Sequence, residues 1–236
     1  MAYFIVDESF WNLFPNGKIG VVLLKGYQKL AESPVELQNL LEESNELAKT
    51  FVEEEPFADN SEIQVYRQAF QTFKTKKGAR SSIEALLKRA KSGKPVGSIL
   101  PLVDIYNAAS LRFALPCGAE DLDSFQGDLQ LTLTEGGDEF YLIGSDENTP
   151  TLSGELCYKD DAGAVCRCLN WRDGQRTMIT EDTQNAFLVI ELLDPSREEA
   201  LEAALQFIVE KAQQYLGGQA TSHILDREAS TLSLND

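Results

Sequence analysis

The spacing of apolar and polar positions changes character once along the chain, near Pro116. Before it, helical spacing dominates. Val35, Leu37, Leu40, Leu41 and Leu47 recur at roughly helical intervals behind Ser33-Pro34-Val35-Glu36, a capping box with Pro at the first helical position, and predict a helix to about Thr50. Ile63, Tyr66, Phe70 and Phe73 mark one stripe of a second helix over 61–75. A third starts at Ser81-Ser82, carries Leu86 and Leu87, and stops near Gly93; a fourth opens at Pro101 and runs, mostly apolar, through about Phe113. Two short β-rich runs come first, 3–6 and 18–25 (KIGVVLLK), with Asn16-Gly17 as a turn between them. The acidic EEEP at 53–56 reads as a loop.

After Pro116-Cys117-Gly118, read as a glycine-containing turn, the period shortens to two. Residues 127–134 (GDLQLTLT) alternate as a half-buried strand does, and 139–143, 153–159, 163–169 and 186–193 read as further strands between turn-forming stretches. Ser196-Arg197-Glu198-Glu199 caps a last long helix with Leu201, Ala204, Leu205, Ile208, Val209 and Tyr215 inward and Gly217-Gly218 as its stop. The polar tail from Gln219 reads as frayed apart from Ile224-Leu225. No linker and no internal repeat divides the chain. The expectation is one α+β domain over 1–236, its helical N-terminal half packed on a mixed or antiparallel sheet with a long C-terminal helix.

Composition adds limits. At 236 residues, 43% hydrophobic and 25% charged, the chain has enough apolar material for a core. No apolar run reaches the roughly 18 residues of a membrane span. MAYFIVDESF lacks a basic leader segment, so a cytoplasmic location is expected. Cys117, Cys157, Cys166 and Cys168 lack a zinc-ligand spacing and read as reduced core residues, with no metal; Cys166 and Cys168, two apart in a predicted strand, would share a face. The net charge of −17 argues against non-specific nucleic-acid binding. Between Tyr66 and Phe113, however, ten basic residues face only Glu84 and Asp104, leaving 11 basic against 36 acidic elsewhere. Lys74, Lys76, Lys77, Arg80, Lys88, Arg89 and Lys91 thus form either a solvated face or a docking surface for a phosphate backbone.

Standard catalytic machinery is sparse. His223 is the one histidine, and it sits near the chain end, so a triad that depends on a positioned imidazole is a poor reading. HExxH, GxGxxG and Walker A motifs are absent. Three polar constellations stand out. Asp104 and Asn107 share a face of the apolar fourth helix and either line a pocket or bind local backbone. Asn170-Trp171-Arg172-Asp173, with Arg176-Thr177, offers an apolar wall and guanidinium forks, or else a plain hairpin tip. Glu191 lies inside the apolar run NAFLVIEL and needs a partner, with Arg172 and Arg176 as the candidates.

The segment Pro101–Asp123 (PLVDIYNAASLRFALPCGAEDLD) resembles the B3/B4 domain of the phenylalanyl-tRNA synthetase beta subunit. Asn107, Pro116 and Asp121 fall into that domain's register, with Gly118 where the synthetase has His. Gly127-Asp128-Leu129-Gln130-Leu131 resembles its strand entry, and Thr183-Gln184-Asn185 the start of its closing strand. PLVDIYN, Gly154-Glu155, NWR followed by RT, and T-x-N are also similar to free-standing B3/B4-domain proteins. The resemblance covers about 60–215 and leaves 1–60 as an extension of the core.

The synthetase domain edits, hydrolysing tyrosine wrongly attached to the tRNA for phenylalanine. The resemblance therefore implies a trans-acting aminoacyl-tRNA deacylase, working without metal or other cofactor, with the acceptor end of an aminoacyl-tRNA as partner and neither DNA nor membrane. The alternative is a non-catalytic module that binds a free amino acid or small ligand. Under the first reading Asn107 faces the aminoacyl-adenosine, Pro116 and Gly118 shape the wall, and Asn107 and Asn170 orient ester and water. Arg172 or Arg176 holds phosphate or carboxylate, Glu191 reads the amino acid, and the basic helices meet the acceptor stem. Asp104, Asp121, Glu155 and Trp171 support the site. Asn170 stands where the synthetase has Gly, and Val189 where it has the tyrosine-reading Glu, with Glu191 two residues on and on the same strand face.

Overall fold

The computed structural model describes residues 2–235. Two β-sheets face each other, and helices cover the outer face of one. The first sheet has the order β10 (Thr231–Ser233), β1 (Tyr3–Val6), β4 (Leu129–Leu133), β5 (Leu156–Asp160), β6 (Gly163–Arg167), β7 (Arg172–Asp173); only β1 and β4 run parallel. The second has the order β3 (Cys117–Asp121), β8 (Asn185–Leu192), β2 (Lys18–Lys25), β9 (Gln219–Leu225), all antiparallel. Phe4, Leu129, Leu131, Tyr158, Val21, Leu23, Phe187 and Val189 fill the space between the sheets. Val22, Leu24, Leu188 and Ile190 point the other way, against α5 (Pro101–Phe113) and α6 (Glu198–Tyr215). This explains the unbroken apolar runs KIGVVLLK and AFLVI: both faces of β2 and β8 are covered, so neither strand needs a polar side.

Close helix-on-sheet packing has a local cause. A Cβ on Gly20 would lie 2.7 Å from Leu201 Cδ1 and 3.1 Å from Leu205, so only glycine lets α6 settle on β2 at this spacing. α2 (Val35–Ala48) lies on α5, while α3 (Ser61–Ala69) and α4 (Ser82–Lys91) contribute Ile63, Tyr66, Ile83 and Leu87 to the inter-sheet core.

Several sequence expectations are corrected. The 3–6 and 18–25 runs are not a hairpin: α1 (Glu8–Leu13) intervenes and the two strands lie in different sheets. Ser33 is not a helix cap; α2 starts at Val35, and the Ser33 hydroxyl bonds to Asp104 instead. The second helix stops at Ala69, six residues early, because the chain turns to place Lys74 beside Glu155. Residues 117–121 form an edge strand rather than a turn; the reversal is made just before, by Ala114 with φ 46°. Residues 139–143 hold isolated bridges rather than a strand. The tail is ordered: β9 pairs with β2 along seven residues, and β10 pairs with β1. Cys168 follows the end of β6 with φ 54°, which breaks the two-residue alternation expected of Cys166 and Cys168. All four cysteines are free and buried. No helix among the described residues is long and apolar enough to cross a membrane.

Candidate functional site

α5 and β3 meet at a cavity of about 270 Å³ beside the edge of the second sheet. Val103 and Tyr106 line it from α5, Ala119 from β3, and Met178 and Ile179 from the segment beyond β7. Ile99, Leu100 and Ile143 form its rim, and Asp173 is its one charged lining residue. Ile99 and Ile143 are 64% and 48% exposed, unusual for residues of their size. A larger groove of about 610 Å³ runs along α2, but Glu42, Glu43 and Glu46 line it openly, and its buried polar residue, Asn45, is spent on the Leu41 and Val96 backbone.

Behind the cavity wall lies a polar seam between the sheets. Glu191 is fully buried, and its side chain points between the sheets with Val189 and Phe187. Its partners are neither Arg172 nor Arg176. Asn170 Nδ2 donates to both carboxyl oxygens at 2.8 Å, and the Tyr158 hydroxyl donates to Oε1 at 2.7 Å. Burial pushes the Glu191 carboxyl up to about 8, against the opposing pull of the Tyr158 and Asn170 hydrogen bonds. The Tyr66 hydroxyl holds the Glu191 carbonyl at 2.7 Å.

Gly118 and Asn170 belong together. A Cβ on Gly118 would stand 2.0 Å from Asn170 Oδ1 and 2.8 Å from its Cγ. The carboxamide thus occupies the volume that a side chain at 118 would need. A side chain at 118 and the Asn170 carboxamide therefore exclude each other. Asn170 has φ 49°, a backbone region that glycine enters freely and asparagine better than most residues. Its Oδ1 accepts a weak bond from the Cys166 thiol at 3.7 Å.

The other predicted residues take varied places. Asn107 is 8% exposed, one turn after Val103 on α5, and its carboxamide makes no hydrogen bond among the described residues. Pro116 is buried just ahead of β3. Asp104 accepts from the Ser33 and Ser98 hydroxyls and from Ile99 N at 2.8 Å, so it ties the cavity rim to α5. Asp121 accepts from Thr183 Oγ1 at 2.8 Å and Asp123 N at 3.0 Å. Arg176 pairs with Asp160 at 2.7 and 3.0 Å, while exposed Arg172 stacks on Trp171 at 5.6 Å. Glu155 forms a buried fork with Arg167, whose guanidinium lies between the Phe140 and Trp171 rings at 5.4 and 5.8 Å. None of the residues expected to form the pocket, Asn107, Pro116, Gly118, Asn170, Arg172, Arg176 and Glu191, lines this cavity, and neither do Glu155 and Trp171.

The basic segment is one helix and its flanks. Lys74, Lys77, Arg80, Lys88 and Arg89 are exposed, and Lys76 is half-buried. Lys91 is already engaged, bonding the Val52 and Glu54 carbonyls at 2.8 and 3.1 Å and Glu55 at 2.7 Å. Arg80 lies 3.6 Å from Glu84.

Sequence reasoning did not bring together three groups beside the cavity. Glu120 (β3), Cys166 (β6) and Asp173 (β7) bring their ligating atoms within 4.8 Å of one another. Burial, then the neighbouring Asp173 carboxylate, drives Glu120 well up; burial also raises Asp173 and, with Asp173, raises the Cys166 thiol. Tyr106 is raised by burial and then by Asp173. The three come from separate strands, so no short spacing announces them. The available signal was the alternation of β3, which puts Glu120 on the face of Gly118.

The B3/4 domain family matches residues 65–216. No curated protein matches the chain. Among solved structures, the chain is similar to an N-terminal fragment of the phenylalanyl-tRNA synthetase beta-subunit from Pyrococcus horikoshii, at 15% identity and a TM-score of 0.48. That alignment covers 92% of this chain but only 49% of the synthetase fragment. With the family matched over well more than half its length, the chain belongs to the B3/4 domain family.

Proposed function

We propose that the protein takes the aminoacyl end of a charged tRNA into the α5–β3 cavity and hydrolyses its ester in trans. The observation that carries this reading is the position of the cavity: it opens at the segment Pro101–Asp121, which bears the resemblance to the synthetase's editing module. Its walls are apolar, as an amino-acid side chain requires, and the uncommitted Asn107 carboxamide lies one turn from Val103 on the same helix stripe. An aminoacyl ester is already activated, so positioning and a hydrogen-bond donor suffice where no histidine base is at hand. α4 carries exposed Lys88 and Arg89, and the chain runs from there directly to the rim at Ile99 and Leu100, a route along which an RNA backbone can lead its end to the cavity.

A panel of tRNAs charged with different amino acids tests the reading. One of them should be deacylated above background, with Asn107→Ala slowing release by about 10- to 100-fold, toward the range seen for removal of one transition-state donor. Binding should weaken steeply with salt, and Lys88→Ala/Arg89→Ala should flatten that slope by roughly one to two. No release from any tRNA, with or without Asn107, rejects the enzyme.

One observation favours a second reading, a non-catalytic amino-acid-binding module. Asn170 is spent on Glu191, and Arg172 and Arg176 are engaged elsewhere, so three of the proposed orienting groups are not turned to the ester. Saturable binding of a free amino acid without release from tRNA selects this reading.

A further inference from the structure

We infer that Glu120, Cys166 and Asp173 form a binding site for a thiophilic divalent cation of the zinc class. The geometry comes first. One carboxylate oxygen from each acid and the Cys166 sulfur all lie within 4.8 Å of one another, from three different strands. Around a tetrahedral zinc, with metal–sulfur and metal–oxygen distances near 2.3 and 2.1 Å, ligand atoms stand roughly 3.5 Å apart. The three need to close by about an ångström, which side-chain rotation supplies.

A second observation points to a missing partner. Glu120 is 4% exposed, yet its Oε2 has no hydrogen bond. Thr177 Oγ1, 1% exposed on the segment that bridges to Glu120, stands near enough to pull the Glu120 carboxyl down but makes no well-formed hydrogen bond. Buried carboxylate oxygens rarely remain unpaired. Among the described residues no cation bonds them: Arg176 and Arg172 pull on Glu120 and Asp173 from nearby, but Arg176 is held by Asp160 and Arg172 lies exposed over Trp171. The other neighbours, Tyr106, Cys117, Asp121 and Glu191, supply no positive charge.

The donor set selects the class. Two carboxylates and one thiolate suit a borderline-soft ion, and a hard ion such as magnesium gains nothing from sulfur. The Cys166 thiol makes only weak, long hydrogen bonds, to Asn170 Oδ1 at 3.7 Å and the Arg167 carbonyl at 3.8 Å, and otherwise meets the Asp173 carboxyl group itself, so little is lost when its proton leaves. Asp173 lines the cavity, so the fourth position of the ion faces it. The site stands independently of whether an ester is the substrate.

The test uses the full chain, stripped with chelator and titrated with Cd²⁺ and Zn²⁺. One equivalent of metal should remain after gel filtration, and the Cd²⁺ form should show the ultraviolet thiolate-to-cadmium charge-transfer band. Cys166→Ser should abolish the band. Asp173→Asn, at the cavity wall where folding is least at risk, should weaken zinc at least tenfold, and Cys168→Ser should retain the wild-type band. Absence of the band in the wild type, its survival in Cys166→Ser, or unchanged zinc affinity in Asp173→Asn overturns the proposal.

Discussion

Gly118→Ala probes the contact that distinguishes this interior. Gly118 lies in β3 outside the left-handed backbone region, so alanine meets no conformational objection. The new methyl group would stand 2.0 Å from Asn170 Oδ1, and the carboxamide has to rotate away. Glu191 then loses both bonds from Asn170 Nδ2 and keeps only Tyr158. A buried polar group left short of partners costs about 1–3 kcal/mol, and overpacking of a filled interior costs about 1–3 more. Gly118→Ala should therefore destabilise by about 2–6 kcal/mol, a large share of a typical domain's stability. Asn170→Gly removes the obstacle. It also strands Glu191, at about 1–3 kcal/mol, with partial relief from the φ of 49°. In that background the methyl group has space, and Gly118→Ala should cost under about 0.5 kcal/mol. Urea unfolding of the four proteins gives the coupling, expected at about 1.5 kcal/mol or more. Additivity within about 0.5 kcal/mol, or a Gly118→Ala protein as stable as wild type, refutes the steric account.

Glu155→Ala leaves Arg167 charged and buried and should cost about 3–5 kcal/mol in chemical denaturation, whereas Glu155→Met/Arg167→Met together should cost far less. Asp104→Ala removes the anchors of Ser33, Ser98 and Ile99, and should cost about 2–4 kcal/mol while speeding amide exchange at Ile99. Glu191 contributes to pH dependence with a definite sign. Its folded pKa of about 8 lies above the ordinary carboxylate value, so the folded state holds a proton that the unfolded state has lost. The resulting stability is fully present below the ordinary value and is lost as pH rises to about 8. In thermal melts from pH 5 to 9, Glu191→Gln should flatten the fall on the alkaline side; an unchanged slope argues that Glu191 is ionised in the fold.

The helices were legible because their apolar stripes are long and one-sided, and α5 and α6 fall close to where periodicity places them. β2 and β8 were legible for the opposite reason, as apolar runs bounded by polar residues. Partnership was not. Nothing local tells that β1 and β2 enter different sheets, or that the largely polar strand β9 is held along its length by backbone pairing to β2, with Ala220, Ile224 and Leu225 adding core contacts. Ser33 shows the limit of a short motif: it fits a capping box, yet Asp104, 71 residues away, takes the hydroxyl. The same limit hid Glu120, Cys166 and Asp173, which only strand order brings together.

The place of Glu191 decides how the interior divides between support and recognition. A carboxyl group that reads a ligand must be reachable, and it must hold a charge or a hydrogen-bonding capacity not already used. Glu191 meets neither condition. It is fully buried, Asn170 and Tyr158 occupy its oxygens, and burial pushes its carboxyl up to about 8. The carboxamide that confines it can sit there only because residue 118 lacks a side chain. The Gly118–Asn170 contact therefore closes the interior around Glu191, and whatever enters the cavity meets Asp173 on β7 instead. Ligand selectivity should follow residue 173, and stability should follow residue 191. Asp173→Asn should change binding with little change in unfolding midpoint, Glu191→Gln should do the reverse, and a ligand-binding defect confined to Glu191→Gln would return that carboxyl group to the recognition surface.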